Sequence, residues 1–191
     1  PPARVGDIGP GQARAEIDQT VQRATVLANP MLSLAKVEQL RQQPEFETLD
    51  LGQIVREVAL DVSPLIADKV LDFELDVVPA PVHAHRWMLQ ELSRNLLHNA
   101  IRHSPRGAAL HVTVAVAHGQ ALLCVSDRGS GIPPELRQRL FTPFATGDLR
   151  SGSGLGLALC REIVQTLGGQ ISLDDRPGGG LDARVQLRLN S

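Results

Sequence analysis

The apolar pattern of this chain switches repeatedly between a period of two and a period near 3.6, and the order of the switches limits what it can fold into. Leu110, Val112, Val114 and Val116 alternate, His118-Gly119 supplies a turn, and residues 121–125 return, which makes a two-stranded hairpin. Phe73, Leu75 and Val77 alternate in the same way, and a short strand follows Pro79-Ala80-Pro81. Between the strands the period lengthens. After a short edge strand at residues 46–49, Asp50 with Gln53 three residues on reads as a capping box for a helix running to about residue 68. A long helix is predicted over about 86–102, a short one near 134–140 and another over about 154–167, where Gly168-Gly169 stops it. Two last strands, 171–173 and 183–189, flank the glycine turn 178–180. Helix, strands, helix, hairpin, helix, hairpin is the order of an α+β domain over residues 46–191. Its helices cover one face of a mixed sheet, making a two-layer α/β sandwich.

A helical segment at residues 12–45 precedes this domain. Ile17, Val21, Ala24, Ala28, Met31 and Ala35 recur at spacings of four and three, the narrow stripe of a helix that packs on another helix. Asn29-Pro30 interrupts it. Proline inside a helix costs roughly 3 kcal/mol, whereas Asn followed by Pro makes a favourable helix start. The stripe keeps its phase across the proline, so a kinked helix is expected. Residues 1–11 are rich in Pro and Gly, cannot propagate a helix, and are expected to be a disordered end.

Composition excludes several classes of function. Nineteen Lys plus Arg against 21 Asp plus Glu leave a net charge of −2, so no broad basic face for nucleic acid is implied. Only Lys36 and Lys69 are lysines, which reads as composition bias with no function attached. Cys124 and Cys160 sit in apolar stretches without metal-ligand spacing and are expected to be buried free thiols in a reducing compartment. No apolar run approaches the roughly 18 residues of a membrane span and no signal peptide opens the chain, so a soluble, cytoplasmic location is expected.

Three constellations could carry chemistry. On the long helix, Glu91, Asn95 and Asn99 fall one turn apart on one face, followed by Arg102 and His103, while Leu89, Leu92, Leu96 and Ile101 take the other. Two amides and a carboxylate there are either a solvated face or a surface that meets a metal and phosphates. Next, Asp127-Arg128-Gly129-Ser130-Gly131 follows an apolar strand. A carboxylate at a strand end with glycines after it lets the backbone approach a flat ligand, and Asp, an acceptor, suits an exocyclic amine such as that of adenine. The alternative is an ordinary Asp-Gly turn. Last, Gly152-Ser153-Gly154-Leu155-Gly156-Leu157 opens a helix, where free N–H groups and the helix dipole favour phosphate. A dinucleotide fingerprint fails there, because a polar loop stands where a strand should and position 157 is Leu; the Gly-Lys-Ser/Thr of a Walker loop is missing too.

Taken in order, Asn95 and Asn99, Asp127-x-Gly129-x-Gly131, Phe141-x-x-Phe144 and Gly152-x-Gly154-Leu155-Gly156-Leu157 resemble the catalytic ATP-binding domain of bacterial sensor histidine kinases. That family shares its superfamily with gyrase, the heat-shock ATPase chaperones and mismatch-repair MutL. Residues 12–43, ending in Leu34-Ala35-Lys36-Val37-Glu38, resemble the second helix of the family's dimerisation and phosphoacceptor hairpin. The resemblance implies a histidine protein kinase, a phosphotransferase, binding ATP and Mg²⁺ between sheet-covering helices and a lid. Asn99 would offer its amide oxygen to Mg²⁺. Asn95 stands where ATPase relatives place a water-activating glutamate, which favours phosphoryl transfer over hydrolysis. Arg102 and His103 would face phosphates or ribose, and Asp127 would read the adenine amine beside Gly129 and Gly131. Gly152, Ser153, Gly154, Leu155, Gly156 and Leu157 would form the lid hinge and phosphate cradle, Phe144 its anchor and Arg150 a phosphate contact.

The departures carry as much information. The family's acceptor histidine lies on the first helix of the hairpin, and none of the six histidines here, all between His83 and His118, has that context. The chain is therefore expected to be a fragment that does not phosphorylate itself. Expected partners are a second copy in a homodimer, the phosphoacceptor helix and a response regulator, with membrane attachment only through upstream segments. The lid departs as well: Ala145-Thr146-Gly147 leads quickly to the glycines, so closure on nucleotide is expected to be slow or poorly ordered. The alternatives are a degenerate binding module of the same fold, a hydrolase of the gyrase or MutL type, and an anti-sigma serine kinase.

Overall fold

A computed structural model of the chain describes residues 29, 31–42, 45–143 and 154–190. Residues 1–11, the seam positions Ile17, Val21, Ala24 and Ala28, and Pro30 with its expected kink lie outside the described residues. Residues 31–42 are helical (α1). There follow β1 (Glu47–Asp50), α2 (Leu51–Asp61), α3 (Ser63–Asp68), β2 (Asp72–Val77), β3 (Pro81–Ala84) and α4 (Arg86–His103). The chain continues with β4 (Ala109–Ala117), β5 (Gln120–Ser126), a short 3₁₀ helix (Pro134–Arg139), α5 (Gly156–Thr166), β6 (Gln170–Asp175) and β7 (Leu181–Arg188). No helix among the described residues is long and apolar enough to cross a membrane.

Five strands form one sheet in the order β2-β4-β5-β7-β6, and β1 pairs with β3 in a separate two-stranded ladder. Only β2 and β4 run parallel within the larger sheet; the other neighbours are antiparallel. The β4–β5 hairpin turns on His118 and Gly119, both at positive φ, the mirror-image turn whose twist matches that of paired strands. Period-two alternation buries Leu110, Val112 and Val114 of β4, Leu123 and Val125 of β5, and Ala183, Val185 and Leu187 of β7. Against them lie Ile54, Val55 and Val58 of α2, Leu89, Leu92 and Leu96 of α4, and Leu159 and Ile163 of α5. Full burial of each such aliphatic side chain contributes about 1.5–3 kcal/mol. This is the expected two-layer arrangement, helices on one face of a mixed sheet.

Three expectations need correction. The helix after Asp50 does not run unbroken to residue 68. It stops at Asp61, Val62 leaves helical geometry (ψ 1°), and Pro64 sits in the first turn of α3. Proline has no N–H to extend the earlier helix and its ring meets the preceding turn, so it starts a new one. Only half of the capping box forms: Asp50 Oδ1 accepts from the Gly52 and Gln53 N–H groups, while the Gln53 amide turns to Glu57. Finally, Cys160 is buried, but Cys124 is half-buried on the sheet face away from the helices, because alternation along β5 points Leu122, Cys124 and Ser126 outward.

The described part of α1 packs on the domain. Val37 is buried within the domain core, with Leu34 and Leu40 against it. Lys36 Nζ lies 4.4 Å from the Trp87 ring centroid, a cation–π distance. Arg41 Nη2 reaches Glu162 Oε2 at 3.0 Å and Thr166 Oγ1 at 3.2 Å on α5. Met31 and Ala35, on the predicted helix-packing stripe, remain exposed.

Candidate functional site

Helix α4 carries one wall of a cavity of about 290 Å³. Its leucine face is committed to the sheet, so spacing of four along the opposite face brings Asn95, His98, Asn99, Arg102 and His103 to the cavity. His85 Nδ1 accepts from the Trp87 N–H to start the helix. At its other end the last carbonyls lack helical partners. Lys69 fills them: Nζ donates to the carbonyls of Ile101 (2.8 Å), Arg102 (2.7 Å) and Ser104 (2.9 Å). A cation at a helix C-terminus also complements the dipole. The second of the two lysines thus has a defined task that composition gave no reason to expect.

Asn95 is oriented from within its own helix. Its Nδ2 donates to the Glu91 carbonyl at 2.8 Å and to Glu91 Oε1 at 3.1 Å, which turns Oδ1 toward Gly156 at the start of α5. Asn99 faces the cavity with no hydrogen-bond partner among the described residues. His103 is held below the usual imidazole range by burial first and the Arg102 charge second, and His98 likewise by burial and Arg94.

The opposite wall begins where β5 ends. Asp127 is 4% exposed, and its Oδ1 accepts from the Gly129 N–H at 2.7 Å and the Leu181 N–H at 3.2 Å. Asp127 lines the cavity, and its Oδ2 has no hydrogen-bond partner among the described residues. Burial pushes this carboxyl above the usual range, opposed by the Gly129 and Leu181 N–H donors and by the charges of His103 and Arg176. Gly129 packs so closely on the His103 carbonyl that a Cβ there would stand 2.8 Å from it, which joins the two walls at their base.

Gly154, Gly156 and Leu157 reach the same cavity at the start of α5, and Gly131 does so beyond Asp127. The Leu155 side chain is 1% exposed and does not line the cavity. Leucine at this N-cap offers no polar side chain to the first N–H groups of α5. Phe144, Arg150, Gly152 and Ser153 lie outside the described residues.

Sequence reasoning passed over His98, Ile132, Pro133, Leu136, Leu140 and Leu181, which complete the lining. Ile132-Pro133 follows Gly131 directly, and Leu136 and Leu140 lie four apart along the 3₁₀ turn, so an apolar surface beside the glycines was available as a signal. A cavity lined by apolar side chains, one carboxylate, amides, a guanidinium and a helix N-terminus suits a ligand with a flat donor-bearing ring and an anionic tail.

The chain is similar to several known proteins. Residues 85–191, more than half of its length, match the family described as histidine kinase-, DNA gyrase B-, and HSP90-like ATPase. The alginate biosynthesis sensor protein KinB of Pseudomonas aeruginosa is 31% identical over 168 residues, covering 86% of this chain. The chain spans only 28% of KinB's length. Among solved structures, the catalytic domain of the histidine kinase ThkA superposes with a TM-score of 0.70 at 28% identity, covering 76% of this chain and 96% of that one. The Acinetobacter baumannii histidine kinase AdeS reaches 0.74 at 25% identity, covering 99% of this chain and 88% of its own.

Proposed function

Because the chain belongs to the histidine kinase-, DNA gyrase B- and HSP90-like ATPase family, we propose that it is the ATP-binding catalytic part of a sensor histidine kinase, and that it binds Mg-ATP and hands the γ-phosphoryl group to a histidine outside this sequence. The observation that carries the reading is the pairing across one cavity of a buried carboxylate with a free acceptor oxygen, Asp127, and a row of amides and cations, Asn95 to His103.

The Asp127 carboxylate accepts a hydrogen bond from the exocyclic amine of adenine, with the ring in the cavity beside Ile132 and Leu136. The triphosphate runs toward Arg102 and the N-terminus of α5, where main-chain N–H groups and the helix dipole meet negative charge. A magnesium ion fits this donor set. Asn99 presents a neutral amide oxygen without a partner among the described residues, and no cluster of three His, Cys, Asp or Glu that could hold a metal exists among them. Magnesium takes few protein ligands and completes its shell with phosphate oxygens and water. When bound, it would neutralise phosphate charge. Asn95 cannot act as a base, and its amide is tied to Glu91, so it does not activate water; it borders the phosphate path instead. The six histidines all lie within the catalytic unit, which leaves the acceptor to another segment or chain. In the intact kinase that acceptor helix, a second copy and a response regulator are the partners.

Calorimetric titration with ATP, with and without Mg²⁺, tests the reading. We expect binding that magnesium strengthens, and no acid-labile phosphoryl label retained on the chain. Absence of binding heat up to millimolar ATP would point to a degenerate module; stable label would place an acceptor within this sequence.

A further inference from the structure

Arg176 lies outside the cavity lining, yet it grips a residue that belongs to it, Asp127. Its Nη1 donates to the Asp127 main-chain carbonyl at 2.9 Å, and its Nε pairs with Asp182 Oδ1 at 3.2 Å. The two side chains are 18% and 17% exposed, so the pair is shielded from solvent. Asp182 Oδ1 also accepts from Ser126 Oγ, one residue before Asp127, at 2.7 Å, so the anchoring oxygen is itself held in place. Arg184, half exposed, meets only the other oxygen, Oδ2, at 2.6 Å.

Arg176 also opens the β6–β7 turn. Its N–H donates to the Gly180 carbonyl and its carbonyl accepts from the Gly179 N–H, both at 3.1 Å. Gly180 has φ +103°, and a Cβ there would overlap the Asp127 carbonyl oxygen, the atom that Arg176 holds. The glycine turn thus lies flat on the Asp127 backbone with the guanidinium as its clip. A planar fork can satisfy two acceptors in fixed directions, which a lysine ammonium does less well. Asp127 Oδ1 is already committed to two main-chain N–H groups. The direction of Oδ2 then follows from where the backbone is held.

We propose that Arg176, anchored on Asp182, is a positioning residue for purine selection: by clamping the Asp127 main chain to the β6–β7 turn it sets the line along which Asp127 Oδ2 meets an exocyclic amine. The proposal rests on the reading of Asp127 as the adenine contact, and the test separates the two.

Dissociation constants for ATP and for purine riboside triphosphate, which lacks the amine, are measured on the wild-type chain, Arg176→Met and Arg184→Met. The wild type should favour ATP. Arg176→Met should lose about five- to tenfold in ATP affinity, the worth of one misaligned hydrogen bond, with binding of the amine-free nucleotide unchanged. Arg184→Met, which touches Asp182 and Asp174 and not Asp127, should leave both constants alone. Equal weakening of both nucleotides by Arg176→Met, or of neither, overturns the proposal. A wild type blind to the amine overturns the Asp127 reading and the proposal with it. Should Arg176→Met not fold, Asp182→Asn decides, since it removes the anchor's charge and keeps an acceptor for Ser126. It should lose about two- to threefold for ATP alone; an unchanged ATP preference in folded Asp182→Asn overturns the role of the clamp.

Discussion

The two walls of the cavity are built by opposite means. The α4 wall is one continuous helix whose polar row follows from residue spacing, and its cavity-lining side chains make few bonds: Asn99 has none among the described residues, and Arg102 is exposed. The Asp127 wall joins segments about fifty residues apart through backbone hydrogen bonds, two arginines reaching in opposite directions and a glycine turn laid over the loop. Arg176 holds the Asp127 carbonyl, while Arg128 Nη1 reaches back to the carbonyls of Pro177 and Gly179. The difference teaches where preorganisation is needed. On the proposed reading, the Asp127 wall selects a base by direction, so its acceptor must be rigid before binding. Phosphates and a metal ion are held by charge and by groups that adjust, so that wall can stay open until the ligand arrives.

On this contrast, damage to the rigid wall should be structural and abrupt. Gly180→Val adds a Cβ that overlaps the Asp127 carbonyl at a φ that L residues avoid. Unfolding free energy should fall by about 3 kcal/mol or more, and ATP binding should vanish; chemical denaturation and titration measure the two, and wild-type values would dissolve the picture of a turn seated on Asp127.

Asp127→Asn separates rigidity from recognition. An Asn oxygen can still accept from Gly129 and Leu181, but an amide nitrogen then faces the adenine amine. ATP affinity should drop about 30- to 100-fold while the fold persists. The linkage has a definite sign. Burial raises the native pKa of Asp127 above its unfolded value, so the folded chain binds more protons between the two and stability falls as pH rises through that window. The Asp127→Asn variant should therefore melt no lower than the wild type at pH 7, and its advantage should close as pH falls through the native pKa of Asp127 toward the ordinary carboxylate range. A variant clearly less stable at neutral pH would mean that the ionised form is favoured by its surroundings after all.

On the open wall the effects should be smaller and conditional. Asn99→Ala should cost about tenfold in ATP affinity with Mg²⁺ present and little without it, with far-UV circular dichroism unchanged. Magnesium enhancement that survives the substitution removes Asn99 from the metal role. Lys69→Met should be the mildest for binding, about two- to threefold in ATP affinity, because it touches only the carbonyls beneath the wall. It should still lower stability by about 1–2 kcal/mol through the lost helix-end bonds, read as a drop in melting temperature.

The same contrast explains what could be read in advance. Asn95, Asn99, Arg102 and His103 were legible because helical periodicity alone decides which residues share a face. Asp127, Gly129 and Gly131 were legible as a strand end followed by glycines. Pro64 is a visible signal for the break after α2, masked by an apolar pattern that continues past it. The glycine turn holding Gly180 was legible, but the long-range contacts of Arg176, Gly180 and Lys69 were not. Nothing in the residues around them names Asp127, forty-nine positions away from Arg176, or the end of α4, more than thirty from Lys69. The docking of α1 through Val37, Lys36 and Arg41 was hidden for the same reason.

What the sequence determined by itself is the set of elements, their order, and the two chemistries facing each other: local spacing governs helices, strands and glycine loops, and spacing is written in the chain. Only the tertiary structure decided which carbonyls Lys69 would cap, which backbone Arg176 would hold and which oxygen of Asp127 would stay free for a ligand. Those choices depend on distances between residues far apart in the chain, and such distances exist only once the sheet has formed and brought β5, the β6–β7 turn and α4 together.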